Sequence, residues 1–440
     1  MIQTEYGMVE GIRKDGCTVY MGIPFAKPPV GELAFMHPVK PDAWNDVLIA
    51  DHGSKNPIQS QGGFPVGNND PDCLYLNVFV PDHEENQPLP VMIWVYGGAF
   101  AQGGAGAVSP GSQKLHYDLT EFAKAVKAVV VSFNYRLNLY GFLNLGFLDE
   151  RFDRNNGLYD QIMAIRFVND NIASFGGDTN RITLFGQSAG GASVLALMCM
   201  EEAKGLFHQV IIQSACIEHF FSEEESRSYT NLYLKKAGVR DPSELFAVSQ
   251  DQVMKANDDY SSAVRRRADI RCAFSPVIDG ITLKQEPKKA VQNSTLPMLI
   301  GNTEHECNIF IQNIPTIALP VVAKLLRLSP VKEDAPYRLR VSDALTEHVF
   351  IRPQLEILNG YKGPAWRYEY RHSIEGSELG SCHISELYFL FDWGRTIDNV
   401  VIPREDETGK TMRSIWGDFA RCTDPGWECY RSGKEIKVFF

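Results

Sequence analysis

No stretch of this 440-residue chain is long and apolar enough to cross a bilayer, which takes about 20 consecutive apolar residues. The strongest candidate, residues 314–328, is broken by Pro315, Pro320 and Lys324. Excess basic charge is missing as well: 43 lysines and arginines face 54 aspartates and glutamates, a formal net charge of −11. Binding to nucleic acid needs a Lys/Arg surface against the phosphates, so that class of partner is disfavoured. The one basic run, Arg265-Arg266-Arg267, reads as a solvated loop or helix face, with a rim that attracts anionic substrates as the functional alternative. Internal repeats, low-complexity tracts and long Pro/Ser linkers are absent, so no boundary divides residues 1–440 and one compact catalytic domain is expected. The opening MIQTEYGMVEG carries neither a basic n-region nor an apolar h-region. Nine cysteines make an odd count, and no spacing matches a zinc-ligand pattern. A reduced, cytoplasmic protein without a metal is the expectation.

What the chain does have is an ordinary globular composition, 44% hydrophobic and 22% charged. Short β-rich runs recur: LNVFV, PVMIWVY, AVVVSFNY, RITLFG, QVIIQS, LPMLIG and WRYEYR. Several are apolar at consecutive positions, which suits strands buried on both faces of a sheet. Helical patterns lie between them. In GLYDQIMAIRFVNDNIASF, Ile162, Ile165, Val168 and Ile172 recur at spacings of three and four. This alternation predicts an α/β fold with a largely parallel sheet.

One segment carries chemistry. RITLFGQSAGGASVL, residues 181–195, places Ser188 between Gly186 and Gly190 in a G-x-S-x-G pattern. Chance alone yields about 0.15 such matches in a chain this long, so the pentapeptide is not decisive. Its context adds weight: a predicted strand over 182–186 turns into a predicted helix over 189–200. A nucleophile elbow requires that arrangement, with glycines leaving room and the Ala189 N–H at the helix start facing a developing oxyanion. The plain alternative, a glycine-rich strand–helix bend, gives no reason for a serine between the glycines.

Ordered motifs extend this over nearly the whole chain: GIPFAKPPVGELAF, PDCLYLNVFVP, VMIWVYGGAFAQGG, VVVSFNYRLN, NNGLYDQ, NIASFGGDTNRITLFGQSAGGASV, GLFHQVIIQS, FSPVIDG and LGSCHISELYFLF. Through them the chain resembles the type-B carboxylesterase/lipase family of α/β hydrolases, which includes cholinesterases and p-nitrobenzyl esterases. The resemblance implies an α/β-hydrolase fold, a mixed, mostly parallel central sheet flanked by helices. It implies a catalytic histidine at His383, in preference to His305, and an acid at Glu306. Glu304 remains an alternative acid because Cys307 replaces the glycine usual after that position. Asp279 reads as a turn residue, and Ser214 matches a family serine near the acid. The YGGAF segment supplies backbone donors at Gly98 and Ala99, joined by Ala189, each worth roughly 3 kcal/mol to a tetrahedral intermediate.

Departures from the family bear on substrate. Gln187 stands before Ser188 where most relatives carry glutamate, weakening any pull on a cationic substrate. Asn56 stands opposite Cys73 where a disulfide is usual, and an ion pair is lost at Ala34 and Pro71, whereas Arg136 and Asp160 keep a second one. Segments near 56–73 and 308–365 are short where relatives build lid and gorge walls. The expected activity is hydrolysis of small to medium carboxylic esters through an acyl-enzyme, without cofactor or metal. A lipase or amidase on the same triad, and a non-catalytic cholinesterase-like binding protein, are the alternatives.

Overall fold

The computed structural model describes residues 1–60, 67–83, 87–265, 271–328, 335–392, 400–421, 424–431 and 433–440, with the backbone of 396–397. Arg265 ends a helix, whereas Arg266 and Arg267 lie outside the described residues, as do parts of the two short segments, 61–66 and 329–334.

A ten-stranded sheet organises the chain. Its strands are β1 (Ile12–Lys14), β2 (Cys17–Pro24), β3 (Tyr75–Pro81), β4 (Leu89–Val95), β5 (Val129–Phe133), β6 (Gly177–Gln187), β7 (Gln209–Gln213), β8 (Met298–Thr303), β9 (Ala365–Tyr370) and β10 (Ile436–Phe439). They are ordered β10-β9-β8-β7-β6-β4-β5-β3-β2-β1. Every pairing from β5 across to β10 is parallel, while β1, β2 and β3 add an antiparallel edge. The continuous apolar runs sit where both faces are covered: all five residues of β5 and all five of β7 are buried.

Seven helices frame the sheet and the site: α1 (Thr120–Val126), α2 (Asn156–Asn171), α3 (Ala189–Leu197), α4 (Glu223–Ala237), α5 (Gln250–Arg265), α6 (Ser385–Leu390) and α7 (Glu407–Ala420). Strand alternation sends Trp94 and Phe185 to one face, where the Trp94 ring meets those of Phe185 and Phe391 at 4.9 Å each, and Phe122 of α1 covers Phe185. α7 packs against α1 and α6, whereas α2 packs against α3. The spacing of Ile162, Ile165 and Val168 buries one side of α2, which runs on into a single 3₁₀ turn, Ile172–Phe175. The loops leaving the carboxyl ends of β4, β6, β7 and β8 gather at one edge. Parallel α/β sheets place their ligand sites at that edge.

Candidate active site

Ser188 follows directly on β6 and opens α3, with φ 59° and ψ −123°. A non-glycine residue with positive φ is strained and holds its place only where its surroundings dictate it. Here the Ser188 N–H donates to the Gln213 carbonyl at 2.9 Å. The flanking glycines are obligatory: a Cβ on Gly190 would sit 2.1 Å from the Val95 carbonyl, and one on Gly186 2.7 Å from Gly190. Although Ser188 is the N-cap of α3, its hydroxyl caps nothing, so the strained turn serves to present Oγ. Further positive-φ residues surround it: Ala99 and Phe100 at 57°, Ser214 at 46° and Ile384 at 72°.

His383 and Glu306 come from loops more than seventy residues apart in sequence and meet in the interior. Glu306 follows β8, is fully buried, and accepts the Thr303 N–H at 2.8 Å through Oε1. Its Oε2 lies 2.5 Å from His383 Nδ1. That contact fixes the tautomer, leaving Nε2 as an acceptor, and the Gln187 amide nitrogen approaches Nε2 at 3.2 Å. The imidazole therefore lies against the residue preceding Ser188. Burial opposes charge on His383, but the Glu306 carboxylate and its hydrogen bond outweigh burial and hold the imidazole above its ordinary value. The Ser188 hydroxyl points elsewhere, 3.7 Å from Cys216 Sγ.

Cys307 does not tilt the acid loop. It has φ −85°, which needs no glycine, and its N–H meets Thr346 Oγ1 at 3.2 Å. Glu304 is engaged differently, 3.6 Å from His305 and 3.9 Å from Arg371, while His305 pairs with Asp343 at 2.9 Å. The carboxylate that meets His383 is that of Glu306. Asp279 is the turn residue its sequence implies, accepting the N–H groups of Ile281, Thr282 and Leu283.

Gly97 and Gly98 press the loop after β4 against the elbow; a Cβ on Gly97 would come within 2.9 Å of Ser188 Cβ. Among the described residues, none accepts from the N–H groups of Gly98, Ala99 or Ala189. A pocket opens beside them, lined by Gly97, Gly98, Gln102, Tyr117, Gln187 and Tyr388 among others. Asn56 donates to the Gly67 and Ala107 carbonyls and accepts from Gly106. Arg136 makes a buried bidentate pair with Asp160, at 2.8 and 2.7 Å, and also donates to the Ala34 carbonyl.

Two features escaped sequence reasoning. Glu386, on α6 and fully buried, has no hydrogen-bond partner for either carboxylate oxygen among the described residues. Burial first, then the Glu306 charge, push its carboxyl up to about 8, and His383 and the Gln213 amide relieve only part of this. An acid inside the apolar run ISELYFLF was its signal. The second is a cluster: Cys216, His219 and Cys272 converge, all three ligand atoms within 4.8 Å of one another, although no cysteine spacing matches a zinc-ligand pattern. Cys216 and His219 are three residues apart, but Cys272 is supplied by a distant loop, which spacing does not reveal.

A doubly flanked parallel sheet with an antiparallel edge, and a serine on a strained turn after a central strand, define the α/β-hydrolase fold. Solved structures agree: a p-nitrobenzyl (PNB) esterase and a carboxylesterase of Geobacillus stearothermophilus superpose with TM-scores of 0.85 and 0.86, at 32% and 31% identity, each comparison covering 100% of this chain and 95% of the other. The model of the carboxylesterase family matches residues 1–325. The para-nitrobenzyl esterase of Bacillus subtilis is 33% identical over 97% of this chain and 91% of its own length; the human cocaine esterase is 28% identical over 94% and 80%. The chain belongs to the carboxylesterase family and is a serine-dependent carboxylic ester hydrolase. No helix among the described residues is long and apolar enough to cross a membrane.

Proposed function

We propose that Ser188 is the nucleophile, His383 its general base and Glu306 the acid that orients the imidazole and offsets the positive charge it gains. The observation that carries this reading is the buried 2.5 Å His383–Glu306 contact, with Nε2 directed to the elbow. Rotation about the Ser188 side-chain torsion brings Oγ from Cys216 toward Nε2, and the Gln187 amide yields that acceptor. Unoccupied proteins commonly hold such bonds loosely until substrate arrives. Oγ then attacks the ester carbonyl as His383 takes its proton. The tetrahedral oxyanion is received by the N–H groups of Gly98, Ala99 and Ala189, and His383 protonates the departing alcohol. Water, deprotonated by the same imidazole, releases the acid from Ser188.

The substrates in this reading are small to medium carboxylic esters, with Gln187 facing the bound alcohol or acyl group from the pocket wall. The neutral amide there and the short segments near 56–73 and 308–365 support an open site without selectivity for cations. One hydrolase domain over residues 1–440, working in the cytoplasm without cofactor or nucleic-acid partner, completes the proposal. Hydrolysis of p-nitrophenyl esters of rising acyl length tests it: turnover is expected to peak at short to medium chains. Faster cleavage of long-chain triglycerides than of short esters contradicts it.

A further inference from the structure

Beside the elbow, Cys216 lies buried in the loop after β7, His219 lies one turn further on, and Cys272 comes from the segment leading to Phe274. The Sγ atoms and an imidazole nitrogen all lie within 4.8 Å of one another, the one such cluster of His, Cys, Asp and Glu among the described residues. His219 is only 6% exposed, and its Nε2 has no hydrogen-bond partner there. Its Nδ1 is 3.1 Å from Cys272 Sγ and accepts the Cys272 N–H at 3.2 Å. A buried imidazole with one nitrogen unpartnered and the other against a thiol is costly as mere packing. Two thiols and an imidazole are the ligand set of borderline-soft d¹⁰ cations.

We propose that Cys216, His219 and Cys272 bind zinc or a cation of the same class, with the fourth coordination position at the Ser188 hydroxyl. A tetrahedral zinc site separates sulfur from oxygen by about 3.5 Å and sulfur from nitrogen by about the same, given ordinary bond lengths. Ser188 Oγ already stands 3.7 Å from Cys216 Sγ, close to the sulfur–oxygen separation such a site needs, and the 3.1 Å His219–Cys272 contact has to open. On binding, the thiol protons pass to solvent and the two thiolates take the cation. A cation there holds Oγ away from His383, so the metal-bound protein does not hydrolyse esters. This last consequence rests on Ser188 being the nucleophile.

Cobalt(II) titration of the full-length protein, kept reduced with a phosphine, tests the site without reference to activity. One equivalent is expected to give thiolate-to-cobalt absorption and tetrahedral d–d bands, displaced by zinc. In C272S and H219N the cobalt affinity falls at least about 100-fold, beyond what losing an outer-shell partner alone costs. Esterase activity of wild type falls in step with zinc occupancy and returns on chelation, while each variant, judged against its own metal-free rate, resists zinc. Absence of thiolate bands in wild type, or bands of full strength and affinity in C272S, overturns the site. Stoichiometric binding with undiminished hydrolysis overturns the placement of the fourth position at Ser188. Lack of hydrolysis by the metal-free wild type counts against the esterase reading alone, because the cobalt bands do not depend on it.

Discussion

Replacing Glu306 with glutamine removes a charge and keeps the shape. The carboxylate is fully buried and spends one oxygen on the Thr303 N–H and the other on His383. Unit charges about 4 Å apart interact by about 4 kcal/mol at an effective dielectric near 20. Losing that support for the imidazolium in the transition state lowers kcat by roughly 10³-fold, and the amide also permits the wrong tautomer, which takes the expected loss toward 10⁴-fold. The pH profile gives an independent reading. In the proposed mechanism His383 must be neutral to accept the serine proton, and Glu306 holds it above its ordinary value. The acid limb of kcat/KM in wild type therefore lies above the ordinary imidazole range near 6.5, and in E306Q it moves down. Stopped-flow hydrolysis of p-nitrophenyl butyrate between pH 5 and pH 9 measures both. E304Q is the control: that side chain makes only long, partly exposed ion pairs, so its activity stays within about threefold of wild type. A loss below tenfold in E306Q with an unmoved acid limb, or a larger loss in E304Q, refutes the assignment of the acid.

Other consequences follow from the same geometry. Glu386 is protonated in the fold up to about pH 8 but ionises near 4 when unfolded. Its folded value is raised, so its contribution is full below the unfolded value and declines by about 1.4 kcal/mol per pH unit until the folded value is passed. E386Q removes that decline, and its melting temperature gains on wild type from pH 5 to pH 8; an equal difference at both pH values contradicts the buried neutral acid. Q187E restores a negative charge beside the pocket, and roughly a tenfold rise in kcat/KM for a quaternary-ammonium ester over its neutral isostere is expected. An unchanged ratio removes Gln187 from the substrate-facing wall. G190A forces a Cβ onto the Val95 carbonyl; chemical denaturation should show a loss of about 3 kcal/mol or more.

The central strands were legible because burial on both faces leaves runs such as AVVVSFNY and QVIIQS without polar interruption. The edges were not. β1 and β10 are short and mostly half-exposed, so their residues carry no comparable apolar signal. Ser188 was legible from local pattern, since strand, tight turn and helix are consecutive. The pairing of His383 with Glu306 came only through resemblance, because the two loops are distant in sequence and neither neighbourhood shows there what it will face. Cys307 raised a doubt that its φ of −85° resolves. Glu386 and the Cys216–His219–Cys272 cluster were missed for one physical reason: their significance lies in burial and in contacts across the fold, which residue spacing does not encode.

The central claim is that an acyl-enzyme forms on Ser188. Mixing wild type with a p-nitrophenyl ester, quenching in acid within the first turnover and locating the added mass by peptide sequencing in a mass spectrometer tests it most directly. The acyl group is predicted on Ser188, with none trapped in S188A and hydrolysis lost with it. An acyl group on another side chain, the nearby Cys216 included, or continued turnover by S188A, contradicts the account.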